Sequence, residues 1–485
     1  MASSASLLLV LAAQAWGLSA AAGKVDITPD LARHNVYLAG FGARGRRPSG
    51  VHDPLYARLL VLKEGRRTVA LASLDLLGFS HDDVEDLRRL AGFGAPGRYL
   101  FVAATHVHSG PDTMGLWGPL PGLSGVDKAW MGELKKNVAA ALRALEARLS
   151  EASVAGWQGT LDPRGLCRDR RDPAVIDPDL AALRFRGRDG RAVATVVNWA
   201  CHPEVLGKEN RIITADFPGA LCAKVERDTG GACLFFNGPI GGLLIPDAAE
   251  GSSPWQESER IGEAVAGAAL RGLAKALPAA RPGLSFRSLS VDVPVENSRY
   301  LLFLPALAAS HRLFDIRGRP LPLWKLYGLA YQHVLRRLQW AERPWVKTEV
   351  ALVDVGAGRL LGLPGEPFPE LVLGGYGGKF SFGRPVLKPG NPDPPDLARA
   401  PQGPYLKNLA GRPVALFVGL ANDELGYFVP EYDFKVRPNL TLTPRLPGDH
   451  YEETNSLGPS ATKIVLNAAR YLLSDKRSAD RPHAQ

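Results

Sequence analysis

The sequence predicts a mixed α/β fold, a large single domain in which a β-sheet core is flanked by helices. Three observations predict it. Short apolar runs of strand length recur along the chain and break at Gly- or Pro-containing turns. Helix-like segments accompany them, after Asp216 and from Ala461 to Leu473. Over 485 residues, 46% hydrophobic and 22% charged is an ordinary globular composition, with ample material for a core. Length alone suggests about three domains, but no linker-like segment divides the chain cleanly. The residues with chemical potential run from 106 to 427, so their site needs one integrated domain, expected over residues 23–475.

The first informative strand is Arg98 to Ala104, which runs into Thr105-His106-Val107-His108-Ser109-Gly110-Pro111. Two imidazoles therefore emerge where the strand breaks. A period of two would set both rings on one side, and neutral imidazole is the commonest protein ligand for zinc. Two buried histidines bonded to backbone would leave the same trace. The layout then repeats. Ala192 to Val197 leads through Asn198-Trp199-Ala200-Cys201 to His202-Pro203. Leu360-Leu361-Gly362-Leu363 ends in Pro364-Gly365-Glu366-Pro367, and Pro413 to Leu420 leads into Ala421-Asn422-Asp423-Glu424-Leu425-Gly426-Tyr427-Phe428. In open α/β sheets functional groups collect beyond the carboxyl ends of strands. Four such ends bearing His, His, Glu and Tyr describe a composite site in one dimension.

These residues resemble the neutral/alkaline non-lysosomal ceramidases and their bacterial relatives. Residues 105–111 are similar to that family's Thr-His-x-His-Ser-Gly-Pro motif, and residues 198–203 resemble its Asn-Trp-x-x-x-His-Pro motif, one residue shorter. Pro364-Gly365-Glu366, Asn422 to Tyr427, and Tyr451-Glu452 through Gly458-Pro459 resemble further elements, as do Lys24 to Pro29 and Val51 to Arg58 near the start. The resemblance implies one zinc ion per chain held by His106, His202, Glu366 and Tyr427. It implies His108 and Tyr451 beside the scissile amide, steadying the oxyanion, and Arg168 near the substrate, where Cys167 stands in place of the family's Asn. The activity implied is zinc-dependent hydrolysis of a linear amide in an N-acylated, lipid-like substrate.

Two departures matter. The family's Gly-Asp-x-Ser-Pro loop is replaced after Phe236 by Asn237-Gly238-Pro239-Ile240-Gly241-Gly242-Leu243, with no hydroxyl. A zinc site can activate water without a serine, and Gly241 and Gly242 are expected to leave room for substrate or to let it approach the backbone. After Pro459 only a helix-like segment, Ala461 to Leu473, and a polar tail follow, so the immunoglobulin-like module found in family members is not expected here. A zinc hydrolase of esters or of non-lipid amides would use the same residues. A non-catalytic binding protein on the same fold is the reading of a different class, and four intact ligand positions argue against it.

Met1 to Ala22 reads as a signal peptide, with an apolar stretch from Leu7 to Ala13 and small residues at Ser19 to Ala22 but no basic residue near its start, which predicts a secreted or periplasmic protein. No other stretch reaches the roughly 18 apolar residues of a membrane span. Cys167, Cys201, Cys222 and Cys233 lack Cys-x-x-Cys spacing, which argues against a zinc finger; pairing and free buried thiols both remain open. The net charge of +9 is scattered and no nucleic-acid module accompanies it, so no nucleic-acid partner is expected. Peripheral contact with an anionic membrane surface is the secondary expectation, and no obligate protein partner is inferred.

From Leu301 to Trp345 the chain turns helical and aromatic, with Trp324, Tyr327, Tyr331, Trp340 and Trp345; Leu326, Leu329, His333 and Arg337 fall at helical spacing. Packing against the main domain is the first expectation and a lipid-contacting lid the second. Gly374 to Tyr405 is rich in Gly and Pro, a long loop that reads equally as lid or disorder. Asp75 would orient a ligand or cap a turn, and Asp216 would cap the following helix. His52, His311, His333 and His450 show no partner in sequence. Asn439-Leu440-Thr441 is a glycosylation sequon, and residues 476–485 read as a disordered tail.

Overall fold

The computed structural model describes residues 17–297, 303–334, 343–356, 358–435, 448 and 450–474. The sequon at Asn439, Arg336, Arg337, Trp340, the side chain of His333, the first sixteen residues and the expected tail lie outside them.

Two sheets stack face to face and carry helices on both outer surfaces. The larger has eight strands in the order β11 (Ala232–Asn237), β9 (Ala192–Trp199), β8 (Asp179–Gly187), β6 (Ser150–Thr160), β1 (Leu18–Asp26), β3 (Tyr56–Glu64), β4 (Arg67–Leu74) and β5 (Arg98–Ala104). Its β4–β5 and β9–β11 pairs are parallel, the rest antiparallel. The second sheet runs β13 (Ser285–Pro294), β15 (Trp345–Val355), β16 (Gly358–Gly362) and β18 (Val414–Val418), with β14 (Leu313–Phe314) beside β15. Short ladders join β2 (Gly50–Val51) to β10 (Ile212–Ile213), β7 (Cys167–Asp169) to β12 (Leu244–Pro246), and β17 (Glu366–Pro367) to β19 (Tyr427–Phe428).

Side-chain alternation sorts the layers. Leu60 and Leu62 of β3 meet Leu360 of β16 and Leu416 of β18 between the sheets, whereas Leu59 and Val61 face outward to helices. On the second sheet, Leu361 and Phe417 point to the opposite helix layer. α1 (His81–Ala91), α2 (Lys128–Glu146), α3 (Asp216–Thr229) and α4 (Pro254–Leu273) cover the large sheet. α5 (Leu304–Leu307), α6 (Leu323–Val334), α7 (Pro369–Leu373), α8 (Leu406–Leu409) and α9 (Pro459–Leu473) contribute to the cluster on the second sheet. Each strand buried on both faces removes several aliphatic side chains from water, at about 1.5–3 kcal/mol per side chain.

β1 occupies the centre of the large sheet. Among the described residues it alone joins the β11-β9-β8-β6 half to the β3-β4-β5 half: Leu18, Ser19 and Ala20 pair with Ala152, Glu151 and Ser150, and Ser19 to Asp26 pair with β3. The expected leader ends inside this strand, and cleavage after Ala22 would remove the whole β1–β6 ladder. Asp216, expected as an N-cap, is instead the first residue of α3 at φ 50°, and its carboxylate accepts the Phe217 N–H. Its neighbour Ala215 takes the cap position, and the Asp216 N–H donates to Thr214 Oγ1.

The aromatic segment packs only by half. Leu326 of α6 joins Leu307 and Leu313 in the core, but Trp324, Tyr327 and Tyr331 face solvent. The loop from Gly374 to Tyr405 is docked on residues 174–176, with Ala174 N–H donating to Val386 O and Ile176 N–H to Phe380 O. Among the described residues no helix is long and apolar enough to cross a membrane.

Candidate active site

The carboxyl ends of the two sheets are tied together, which is why distant residues meet. Asn422, at φ 61° just past β18, accepts the Val102 N–H through Oδ1 and donates through Nδ2 to Tyr99 Oη, both on β5. Ala104 N–H donates to Leu420 O, and Gly419 N–H to Asn237 O at the end of β11. His106, Leu243, Leu420 and Asn422 all hold positive φ, a strained conformation for side-chain-bearing residues that collects at functional sites. The convergence of His106 and His108 has this origin. β5 stops at Ala104, and a turn through His106 at φ 71° brings the ring centroids to 4.9 Å, so strand alternation is not the cause.

His106, His108 and His202 place one ring nitrogen each within 4.8 Å of one another. His106 Nδ1 lies 2.9 Å from Leu77 O and His202 Nδ1 2.8 Å from Leu244 O. Those carbonyls accept from Nδ1–H, which turns each Nε2 inward toward Glu366, where it can release its proton and serve as a metal ligand held from behind. Glu366 Oε2 lies 3.0 Å from His202 Nε2 and 3.5 Å from His106 Nε2, and Tyr427 Oη lies 3.4 Å from His202 Nε2. Two imidazoles, a carboxylate and a phenol thus share one small volume, and this nitrogen–oxygen donor set suits zinc. His108 differs from its neighbours: neither of its ring nitrogens has a hydrogen-bond partner among the described residues, and Nδ1 sits 3.4 Å from Glu204 Oε2.

Burial and charge set the protonation. Burial, with His106, His202 and Arg46 nearby, pushes His108 well below the usual histidine range, so its ring is neutral. Burial alone would raise Glu366, but the His106 and His202 rings outweigh it and keep the carboxyl ionised. Burial and the Glu366 charge hold Tyr427 as a neutral phenol and push Glu424 well above the carboxylate range.

His202 is fully buried beside Glu366, and His106, His108, Glu366, Glu424 and Tyr427 line a cavity of about 790 Å³. Its other walls include Leu77, Met114, Leu116, Trp117, Val295, Leu307, Leu313, Val346 and Leu457. Tyr451 also lines it, 6.3 Å from the Tyr427 ring by centroids, and Asn455 Nδ2 lies 3.5 Å from its hydroxyl. The turn carrying Tyr451 is braced by buried Arg171, which donates to Asp433, Glu452 and Glu453.

Three expected substrate contacts stand elsewhere. Arg168 is the outward middle residue of β7, between buried Cys167 and Asp169, and reaches toward Asp247 at 3.9 Å; Arg170 lines the cavity instead. Gly241 and Gly242 are not on the cavity wall, because Phe368 fills the room beside Gly241: a Cβ there would fall 2.3 Å from Phe368 Cδ1. Their neighbour Leu243 is the wall residue. Asp75 orients no histidine; it accepts the Tyr56 N–H and faces Arg58. Of the histidines without a visible partner, His52 stacks on Trp255, His450 lies 3.1 Å from Glu453, and His311 sits 3.1 Å from Asp423 and lines the cavity.

Sequence reasoning missed Glu204, Glu424, Arg170 and His311 as cavity residues. Glu204 follows His202-Pro203 directly and was the findable one; nothing local marks the others. Glu424 presents a buried Oε2 without a hydrogen-bond partner among the described residues.

No family model and no curated protein matches the chain. Solved structures do. A crystal structure of neutral ceramidase from Pseudomonas aeruginosa superposes with a TM-score of 0.64 at 18% identity, over 96% of this chain and 77% of that one. A ceramidase complexed with C2 gives 0.62 at 17% identity, with the same coverages. From end to end of its described architecture, this chain therefore has the neutral ceramidase fold.

Proposed function

We propose that the protein is a secreted or periplasmic zinc-dependent hydrolase that cleaves the amide bond of an N-acylated, lipid-like substrate. One observation carries the reading: His106, His202, Glu366 and Tyr427 converge, and His106, Glu366 and Tyr427 line a cavity whose wall also carries many apolar side chains. A zinc ion in that donor set supplies Lewis acidity and activates water near neutral pH. The protein's own residues do the remainder. His106 and His202 offer Nε2 because carbonyls hold Nδ1. Neutral His108, whose ring nitrogens have no hydrogen-bond partner among the described residues, donates one N–H to the acyl oxygen as it gains charge, and the Tyr451 phenol, on the same cavity wall, donates as well. Aliphatic walls take the acyl chain and exclude water. No serine stands at Gly241–Gly242, so the attacking water needs no covalent intermediate. Export would rest on the leader-like segment Met1 to Ala22, and a cut upstream of Leu18 would be needed for the β1–β6 ladder to survive it.

The test is a panel of N-acyl amides of graded chain length against matched esters and short-chain amides. Preference for long-chain amides, loss of turnover on chelation and recovery on zinc addition are expected. Turnover that survives complete metal removal, or that favours short polar acyl groups, overturns the reading.

A further inference from the structure

We infer that the solvent face of α6 is a docking surface for an anionic lipid bilayer. Leu323, Trp324, Tyr327 and Tyr331 are 51%, 75%, 52% and 64% exposed, while Leu326 and Ala330 on the adjoining flank are buried. Helical spacing gathers the exposed four into one stripe. A short amphipathic helix with outward aromatics is unusual for a face bathed in water, since a soluble helix turns its apolar side inward. Trp and Tyr, with an apolar ring and a polar tip, suit the headgroup boundary of a bilayer. Ile316, 75% exposed, adds an aliphatic side chain just upstream.

Charge selects the kind of bilayer. From 303 to 334 the chain holds Arg312, Arg317, Arg319 and Lys325 against a single acid, Asp315, which is buried and paired with Arg319. Arg312 is paired with Asp82, and Arg317 makes no side-chain ion pair among the described residues. A net basic segment that carries an aromatic stripe attracts anionic headgroups, and the whole chain is +9. No described helix crosses a membrane, so the attachment is peripheral.

The position of α6 gives the contact a purpose. Its inner residue Leu326 packs in one cluster with Leu307 and Leu313, and those two line the cavity. The same helix is therefore the outer buttress of the cavity wall. Seated on a bilayer, it would place the cavity within about a helix diameter of the lipid. The purpose, though not the binding itself, rests on the lipid-like substrate proposed above.

The test uses the full chain and sedimentation with vesicles of phosphatidylcholine alone or mixed with phosphatidylglycerol. Wild type is expected to bind the mixed vesicles, more weakly as salt rises, and to bind phosphatidylcholine poorly. The triple variant Trp324→Ser, Tyr327→Ser, Tyr331→Ser should lose roughly tenfold or more in affinity with an unchanged melting temperature, because the residues are exposed. Arg317→Glu, which leaves the aromatic stripe intact, should weaken binding to the mixed vesicles alone. His106→Ala should bind vesicles like wild type, which separates this inference from the catalytic one. Equal binding by wild type and both variants overturns the proposal. So does a concentration-dependent dimer in vesicle-free solution that the triple variant abolishes, which would assign the face to a second copy.

Discussion

Glu366 and Tyr427 are register partners. The β17–β19 ladder is parallel and two residues long, and it sets Glu366 beside Tyr427 and Pro367 beside Phe428, with Glu366 N–H donating to Gly426 O at 2.9 Å. The backbone thereby fixes a carboxylate and a phenol at one spacing before any metal arrives. The two histidines are fixed independently by carbonyls on other strand ends. This preorganisation makes the donor set testable one side chain at a time.

The purified protein is expected to carry about one zinc per chain, as a set of three or four protein ligands holds a single ion. His106→Ala and His202→Ala should each lose it, and Glu366→Gln should weaken it strongly. Elemental analysis of dialysed protein checks this; full metal retention in both histidine variants excludes them as ligands.

His108→Ala should keep the metal and the melting temperature yet lose about 2–4 kcal/mol of transition-state stabilisation, the range for removal of one oxyanion donor. Tyr451→Phe should behave alike. Steady-state kinetics beside metal analysis reads both. Loss of metal from His108→Ala would move that ring into the ligand set.

Gly241→Ala should destabilise by about 1–3 kcal/mol, the usual cost of overpacking. Its added methyl would fall 2.3 Å from Phe368 Cδ1 and 2.8 Å from Glu366 O. Because Glu366 moves with its carbonyl, metal affinity should fall as well. Calorimetry and a zinc titration decide; a silent substitution would mean the backbone yields without resistance.

Glu370 supplies a pH test that is read as stability rather than as metal binding. Burial, only partly offset by the Arg171 charge, pushes its carboxyl up to about 8. The unfolded value is about 4.3, so the folded state retains a proton that the unfolded state has released. That contribution is complete below the unfolded value and is lost as pH rises from there to about 8. Glu370→Gln never ionises, so relative to wild type it should gain stability across this window, on the order of 5 kcal/mol by pH 8. Urea unfolding at several pH values measures the difference, and parallel curves for the two proteins would contradict it.

The strand ends were legible because each is an apolar run stopped by Gly or Pro, a local signal. Arg98 to Ala104 matches β5 to the residue, and Ala192 to Val197 falls within β9. The reason given for the histidine pair was not legible: a period of two presumes a strand, and the strain at His106 φ 71° is imposed by contacts from Leu76 and Leu77. Gly241 misled for a similar reason. The space beside a glycine belongs to whatever packs there, and Phe368 arrives from another strand end. Arg168 against Arg170 turned on the facing of a three-residue strand that composition does not reveal. Glu424 and His311 enter the cavity through packing between segments, which one sequence does not spell out.

The central place of β1 dictates when the protein comes to life during its synthesis. Its partner β6 is made only after β3, β4, β5 and two helices, and the last donor, Tyr427, later still. Until β6 arrives, the nascent sheet is half a sheet with a bare edge, the kind of intermediate that aggregates. Joining the halves requires closing a long loop, a slow step for a topology this rich in non-local pairings. Secondary structure should therefore appear well before the chain can capture a metal, and refolding yield should depend on dilution more than on zinc.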